Sequence, residues 1–328
     1  MAIQQKLEQI GIVAFVAFAF VGADPSLAGA QNRDRGEPQI ERSTERLPLD
    51  EGGQLDLSNI SGDITVSGGT GREVVLNITK RAGRRNNDTE LSAVQVDIDA
   101  RSNRIEVRTR YPRNNRRTRI SVSYEVTVPR DARVALRSVS GDIVLSNVDG
   151  EARVETVSGE VEVRRAGQLT LAKSVSGDVD ISDITGDTSL TVSTVNGDLE
   201  ADDVSGRRLE LQTVSGDIEA SGMTFGRTDV ETVSGDVEYD GALEADGRYS
   251  FSAHSGDVRL LLTEDVGFEL EASSFSGSVR SDLPVVLGGL NSTGNGRNQG
   301  RNVVGTFGDG GALLEVSTFS GDIVISRR

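Results

Sequence analysis

The sequence predicts an all-β protein. It reads as a right-handed parallel β-solenoid, β-helix-like, with two short strands per ~19-residue coil and a longer-stranded N-terminal cap region. Three observations predict it. A short motif, of which "TVSGDIEA" (Thr213 to Ala220) is one copy, recurs along the chain. Apolar residues alternate with polar ones on either side of it. The composition has 38 Gly, 6 Pro, no Trp and only 4% aromatic residues among 328, so the apolar content is mostly Val, Leu, Ile and Ala. Large aromatic side chains dominate most compact cores, and thin stacked strands manage without them.

The motif glycines Gly141, Gly159, Gly177, Gly197, Gly216, Gly235, Gly256 and Gly277 are separated by 18, 18, 20, 19, 19, 21 and 21 residues, with further copies at Gly62 and Gly321. Fixed periods of this size signal solenoids, and propeller blades need about twice as many residues. Four columns of the repeat are apolar and read as the inward face. They lie five and two residues before the glycine (Val154 and Val157 in one copy) and two and four after it (Val161 and Val163). A weaker turn is expected at mid-period, at Gly150, Gly167, Gly186, Gly206, Gly226, Gly247 and Gly267. Parallel stacking sets identical columns about 4.8 Å apart, so like packs on like, which an antiparallel meander does not require. Ser-Gly-Asp then makes the corner of each coil. Gly tolerates positive φ, and Ser and Asp side chains can cap backbone N–H groups that the bend leaves unpaired.

The elements follow in order. Residues 1–30 combine Lys6, the apolar run Ile10 to Ala23 and the small residues Ala28-Gly29-Ala30. That order reads as a secretory signal peptide, the rival reading being an uncleaved anchor. Without Cys there is neither a disulfide nor a lipid-modified N-terminal cysteine. Residues 31–46, charged and aperiodic, read as a flexible tether. Residues 47–134 read as a longer-stranded β region that caps the open end of the stack. Residues 135–328 read as regular coils, interrupted by a Gly- and Asn-rich loop at 288–311.

The tandem V-S-G-D-[IV] units behind a signal peptide resemble the bacterial "putative adhesin" family of β-strand-repeat proteins, a domain of unknown function related to head-GIN-type domains. The resemblance spans Leu47 to Arg328 and implies a β-helix-like fold outside the cytoplasm. It brings no catalytic or binding residues with it.

Candidate chemistry is sparse. The acidic column Asp142, Glu160, Asp178, Asp198, Asp217, Asp236, Asp257 and Asp322 reads as turn-capping carboxylates, with a calcium ladder as the alternative. One carboxylate per coil is few for that metal. The lone His254 stands in a column otherwise held by Val and Phe and reads as structural. No zinc or nucleophile-elbow motif occurs, and no cofactor is implied. Residues 80–119 carry 12 Lys or Arg against 5 acids in a chain of net charge −16. They read as a solvated hairpin and loop, or alternatively as a docking patch at Arg113, Arg116 and Arg117 for an acidic surface. The overall charge excludes nucleic acid and anionic membrane as principal partners. The expected function is therefore a non-catalytic, exported, adhesin-like or scaffolding surface in the periplasm or at the cell surface. Its partner would be an envelope protein or glycan, and it would not be integral to the membrane once its signal is cleaved. A carbohydrate-active β-helix enzyme acting on acidic polysaccharide is the alternative.

Overall fold

The computed structural model describes residues 39–83, 91–112, 120–263, 265–287 and 301–328. Strands account for nearly all of it, with one short 3-10 turn at Leu91–Ala93. No helix among the described residues is long and apolar enough to cross a membrane. The expected signal peptide and the candidate patch Arg113, Arg116 and Arg117 lie outside the described residues.

Each coil takes the name of its corner glycine. From the Gly141 coil to the Gly256 coil, successive units pair in parallel with equivalent residues in register. Ile143 lies beside Val161, Val161 beside Val179, Val179 beside Leu199, Leu199 beside Ile218, and Ile218 beside Val237. Alternation puts one set of side chains inside. The columns two after the corner and five before it, such as Val161 and Val154, are buried along the stack, Val279 alone being partly so. In the column four after it, Ser281 of the last coil is exposed and the others are buried. The hydrophobic interior is a continuous aliphatic rod, with Tyr239, Phe251, Phe225 and Phe268 filling its C-terminal half.

The order of the stack departs from the order of the chain at both ends. Ala312–Ser320 inserts between Val237–Ser255 and Phe268–Ser274, so the Gly321 coil lies between the Gly256 and Gly277 coils. Its second half, Ile323–Arg327, likewise separates Val258–Leu262 from Val279–Ser281. At the other end, Gln54–Ser58 and Ile64–Gly69 form the Gly62 coil. Arg104–Arg110 and Ile120–Pro129 cover one side of it, and the Gly141 coil covers the other. Antiparallel strands then close the ends. Glu73–Ala82 lies on Ile120–Pro129, Gln95–Arg101 on Arg104–Arg110, and Arg301–Phe307 on Phe268–Ser274. Buried Tyr124, whose phenol burial pushes up to about 12, shares a short hydrogen bond of 2.6 Å with Thr109 under this N-terminal cover.

Two expectations about chain segments need correction. Ile40–Pro48, assigned in large part to a tether, is a strand paired along its whole length with Glu73–Ala82. Its charged residues satisfy the rule that edge strands carry charge rather than apolar surface. Within the loop at 288–311, Arg301–Phe307 is a strand held on both sides, by Phe268–Ser274 and Val286–Leu287.

The coil is also more continuous than two short strands. Leu199–Ser215 and Ile218–Ser234 each run 17 residues from one corner to the next. The second bend is not at the mid-period glycines. It comes six residues after the corner, where Asn147, Arg165, Asp183, Asp203 and Gly222 all have φ between 52° and 67°. Asn and Asp reach that left-handed region most readily after Gly, which explains the polar residues in this column.

Candidate functional site

The corner is where the sequence concentrates its motif, and four columns there do different jobs. At the glycine, φ runs from 138° to 158° between Gly141 and Gly256. A Cβ on Gly177 would sit 2.1 Å from the carbonyl oxygen of Gly159 in the coil beneath. Only glycine lets the corners stack this closely.

One residue further on, each aspartate reaches across coils rather than within its own turn. Asp217 N–H donates to Asp198 Oδ1 at 2.8 Å, Asp236 N–H to Asp217 Oδ1 at 2.7 Å, and Asp257 N–H to Asp236 Oδ1 at 2.8 Å. The acidic column is thus a relay in which an aspartate of one corner caps the corner beside it. Asp142, Asp178 and Asp257 cap Glu160, Asp198 and Asp322 in the same way. Among the described residues no group of three or more acidic or histidine side chains is placed to hold a metal. Like charges remain close. Burial first, then Asp142 and Asp178, push the carboxyl of Glu160 above its usual range; burial first, then Asp180 and Glu219, do the same to Glu200.

The residue three before the glycine is a buried hydroxyl in every coil except those of Gly62 and Gly256, which carry Asn59 and Ala253. Ser174, Thr194 and Thr213 donate to the carbonyls of Gly159, Gly177 and Gly197 at 2.9, 2.9 and 3.2 Å. Strands such as Ile143–Ser158 run on to the residue before the glycine, and their alternation, inward at five and three before, turns the following side chain outward. The next column, two before the glycine, therefore points to solvent, contrary to its expected inward place. Val139 is 49% exposed, Val157 47% and Val233 42%. His254 is exposed with them rather than set in the core.

The outcome is an apolar ladder on the outer edge. In spatial order it runs Ile60, Val139, Val157, Val175, Val195, Val214, Val233, His254, Phe319 and Phe275, about 40 Å at the strand spacing. It ends in a ring stack. His254 and Phe319 have centroids 5.0 Å apart and planes within 12°; Phe319 and Phe275 are 4.7 Å apart and within 7°. Beside these rings lies an open groove of about 640 Å³, floored by Ser252, Ser317 and Ser273. Apolarity could have marked this surface in the sequence, but an apolar column is ordinarily assigned to the core.

No curated protein matches the chain. Among solved structures, a "putative adhesin" from Bacteroides fragilis is 14% identical over 88% of this chain and 97% of its own, with a TM-score of 0.44. A "putative lipid binding protein" from Parabacteroides distasonis is 10% identical over 88% of this chain and 96% of its own, with a TM-score of 0.45. The family model Toastrack DUF4097 matches residues 52–326, nearly the whole stack from the Gly62 coil to the last strand, and the chain belongs to that family.

Proposed function

We propose that the protein is an exported, non-catalytic, right-handed β-solenoid that offers an adhesin-like or scaffolding surface in the bacterial cell envelope. The outward ladder supports this reading most. Six consecutive coils place valine at this outward position, and all but the half-buried Val175 are exposed, where serine or threonine would serve solubility better. Contiguous exposed apolar surface marks interaction sites, whereas single exposed apolar residues mean little. The partner is an envelope protein or glycan that lies along the edge.

The test is co-sedimentation of the mature protein with envelope fragments. The triple variant Val157→Ser, Val195→Ser, Val214→Ser removes the middle of the ladder without touching buried residues. Retention should fall at least fivefold with the circular dichroism spectrum unchanged; undiminished retention of the variant would sink the proposal.

A further inference from the structure

We infer that the groove at the C-terminal end of the ladder is a binding site for a neutral, pyranose-based oligosaccharide. This rests on the reading of the outward corner as a binding surface and names what one end of it takes. Two columns change character together in the same three coils. In the column two before the glycine, valine gives way to His254, Phe319 and Phe275. In the column four before it, Arg137, Glu155 and Lys173 of the early coils and Ser193, Gln212 and Glu231 of the middle ones give way to three serines in a row, Ser252, Ser317 and Ser273. The chain reaches these coils in the order Gly256, Gly277, Gly321, and the insertion of the last between the other two sets Ser317 and Phe319 at the centre of the three. A corner that only had to turn would need neither change.

The strand register aligns the floor into one polar row. Glu231 lies beside Ser252, Ser252 beside Ser317, Ser317 beside Ser273, and Ser273 beside Asn302. A carboxylate, three hydroxyls and an amide therefore follow one another at about 4.8 Å intervals. The ring stack forms the wall above them. Near-parallel rings at these separations are offset-stacked, which leaves part of each ring open to the groove. Phe275 is 58% exposed and Phe319 49%.

The pairing excludes other occupants. A peptide that adds as a strand needs a free sheet edge. Val237–Ser255, Ala312–Ser320 and Phe268–Ser274 are each paired on both sides at the floor. An acyl chain would strip water from the hydroxyl row and return no hydrogen bond. An anionic ligand would meet the Glu231 carboxylate with neither Lys nor Arg lining the groove. A pyranose carries what remains: apolar C–H faces for the rings, and hydroxyls that both donate to and accept from Ser, Asn and Glu.

The experiment is an array of neutral oligosaccharides of glucose, galactose, mannose and N-acetylhexosamines, with oligogalacturonate as the anionic arm, probed with the full mature protein. Hits are titrated by saturation-transfer NMR. At least one neutral oligosaccharide should bind saturably, with transfer from aromatic protons, and more tightly than oligogalacturonate. Phe275→Ser with Phe319→Ser should weaken it at least tenfold. Ser317→Leu, which fills the floor and leaves the rings in place, should do the same and covers the case in which the double variant misfolds. No neutral binder on the array, preferred binding of the anionic sugar, or equal binding by both variants would overturn the assignment. Envelope retention that persists in the absence of any saccharide binding would remove this site while leaving the ladder as the docking surface. Saccharide binding with retention insensitive to the valine variants would do the reverse.

Discussion

Phe275 and Phe319 stack at 4.7 Å although 44 residues separate them in the chain. Phe319 also stacks on His254 at 5.0 Å, and the two contacts together record the insertion of the final coil between two earlier ones. The last strands are consequently a wedge inside the stack rather than a tail on its end. They bury Leu314, Val316, Ile323 and Ile325.

A chain ending at Asp309 tests the wedge. Fully buried aliphatic side chains contribute about 1.5–3 kcal/mol each. Losing these four should therefore remove more than local stability. Hydrogen exchange at Phe268–Ser274 should rise to the level of an unfolded segment. Retained protection there would mean that the Gly277 coil can sit directly on the Gly256 coil, and the wedge would have no structural importance.

The corner glycine makes a steric prediction. Gly177→Ala combines positive φ with a methyl group 2.1 Å from a backbone oxygen, so thermal denaturation should show a loss of about 2–4 kcal/mol. Gly226→Ala is the control. Its Cβ meets closely only the flexible Glu244 carboxylate, at 3.0 Å, with the Arg207 carbonyl at an ordinary 3.8 Å, and the cost should stay near or below about 1 kcal/mol. Equal costs would contradict the stacked-corner geometry.

The acidic column separates acceptor from charge. Asp217 Oδ1 accepts the Asp236 N–H at 2.7 Å. Asp217→Asn keeps the acceptor and removes a negative charge, so stability should hold or rise. Asp217→Ala loses the cap and should cost about 1 kcal/mol. Millimolar calcium should leave the melting temperature of the native chain unchanged. A calcium-dependent rise that Asp217→Asn abolishes would convert the relay into a metal ladder.

Glu200 gives a pH dependence of known sign. Its carboxyl is raised above 4.5 by burial first and then by Asp180, Glu219 and Asp202, so the fold disfavours its ionised form. Stability attributable to this group is then highest below pH 4.5 and falls as pH rises through its folded value. Glu200→Gln should raise the melting temperature at pH 7 and leave it unchanged at pH 4. A stabilisation of the same size at both values would rule out ionisation as the cause.

Much of the interior was legible because Val154, Val161 and Val163 sit at strand spacing on either side of a glycine that recurs. The corner itself misled for a physical reason. Valine at 157 is apolar and exposed, whereas threonine at 156 is polar and 3% exposed. Hydropathy reverses both assignments, whereas strand alternation from buried Val154 puts Thr156 inside, where its hydroxyl bonds the Gly141 carbonyl. The order of the terminal coils had no local signal at all. The Gly321 copy carries the same motif as its neighbours, and nothing in "TFSGDIVI" records that it pairs with strands on both sides. The groove was hidden for another reason, since its rings stand in the column that apolarity assigns to the interior.

The outward ladder is tested most directly by cysteine accessibility, because the chain has no native Cys to interfere. Single variants Val157→Cys, Val195→Cys and Val214→Cys should react with a bulky water-soluble maleimide under native conditions at rates close to those in denaturant. Val154→Cys and Val161→Cys, from the buried columns, should react at least a hundredfold more slowly until the protein unfolds. Protection of the first set equal to that of the second would place the valines back in the core and contradict the binding edge.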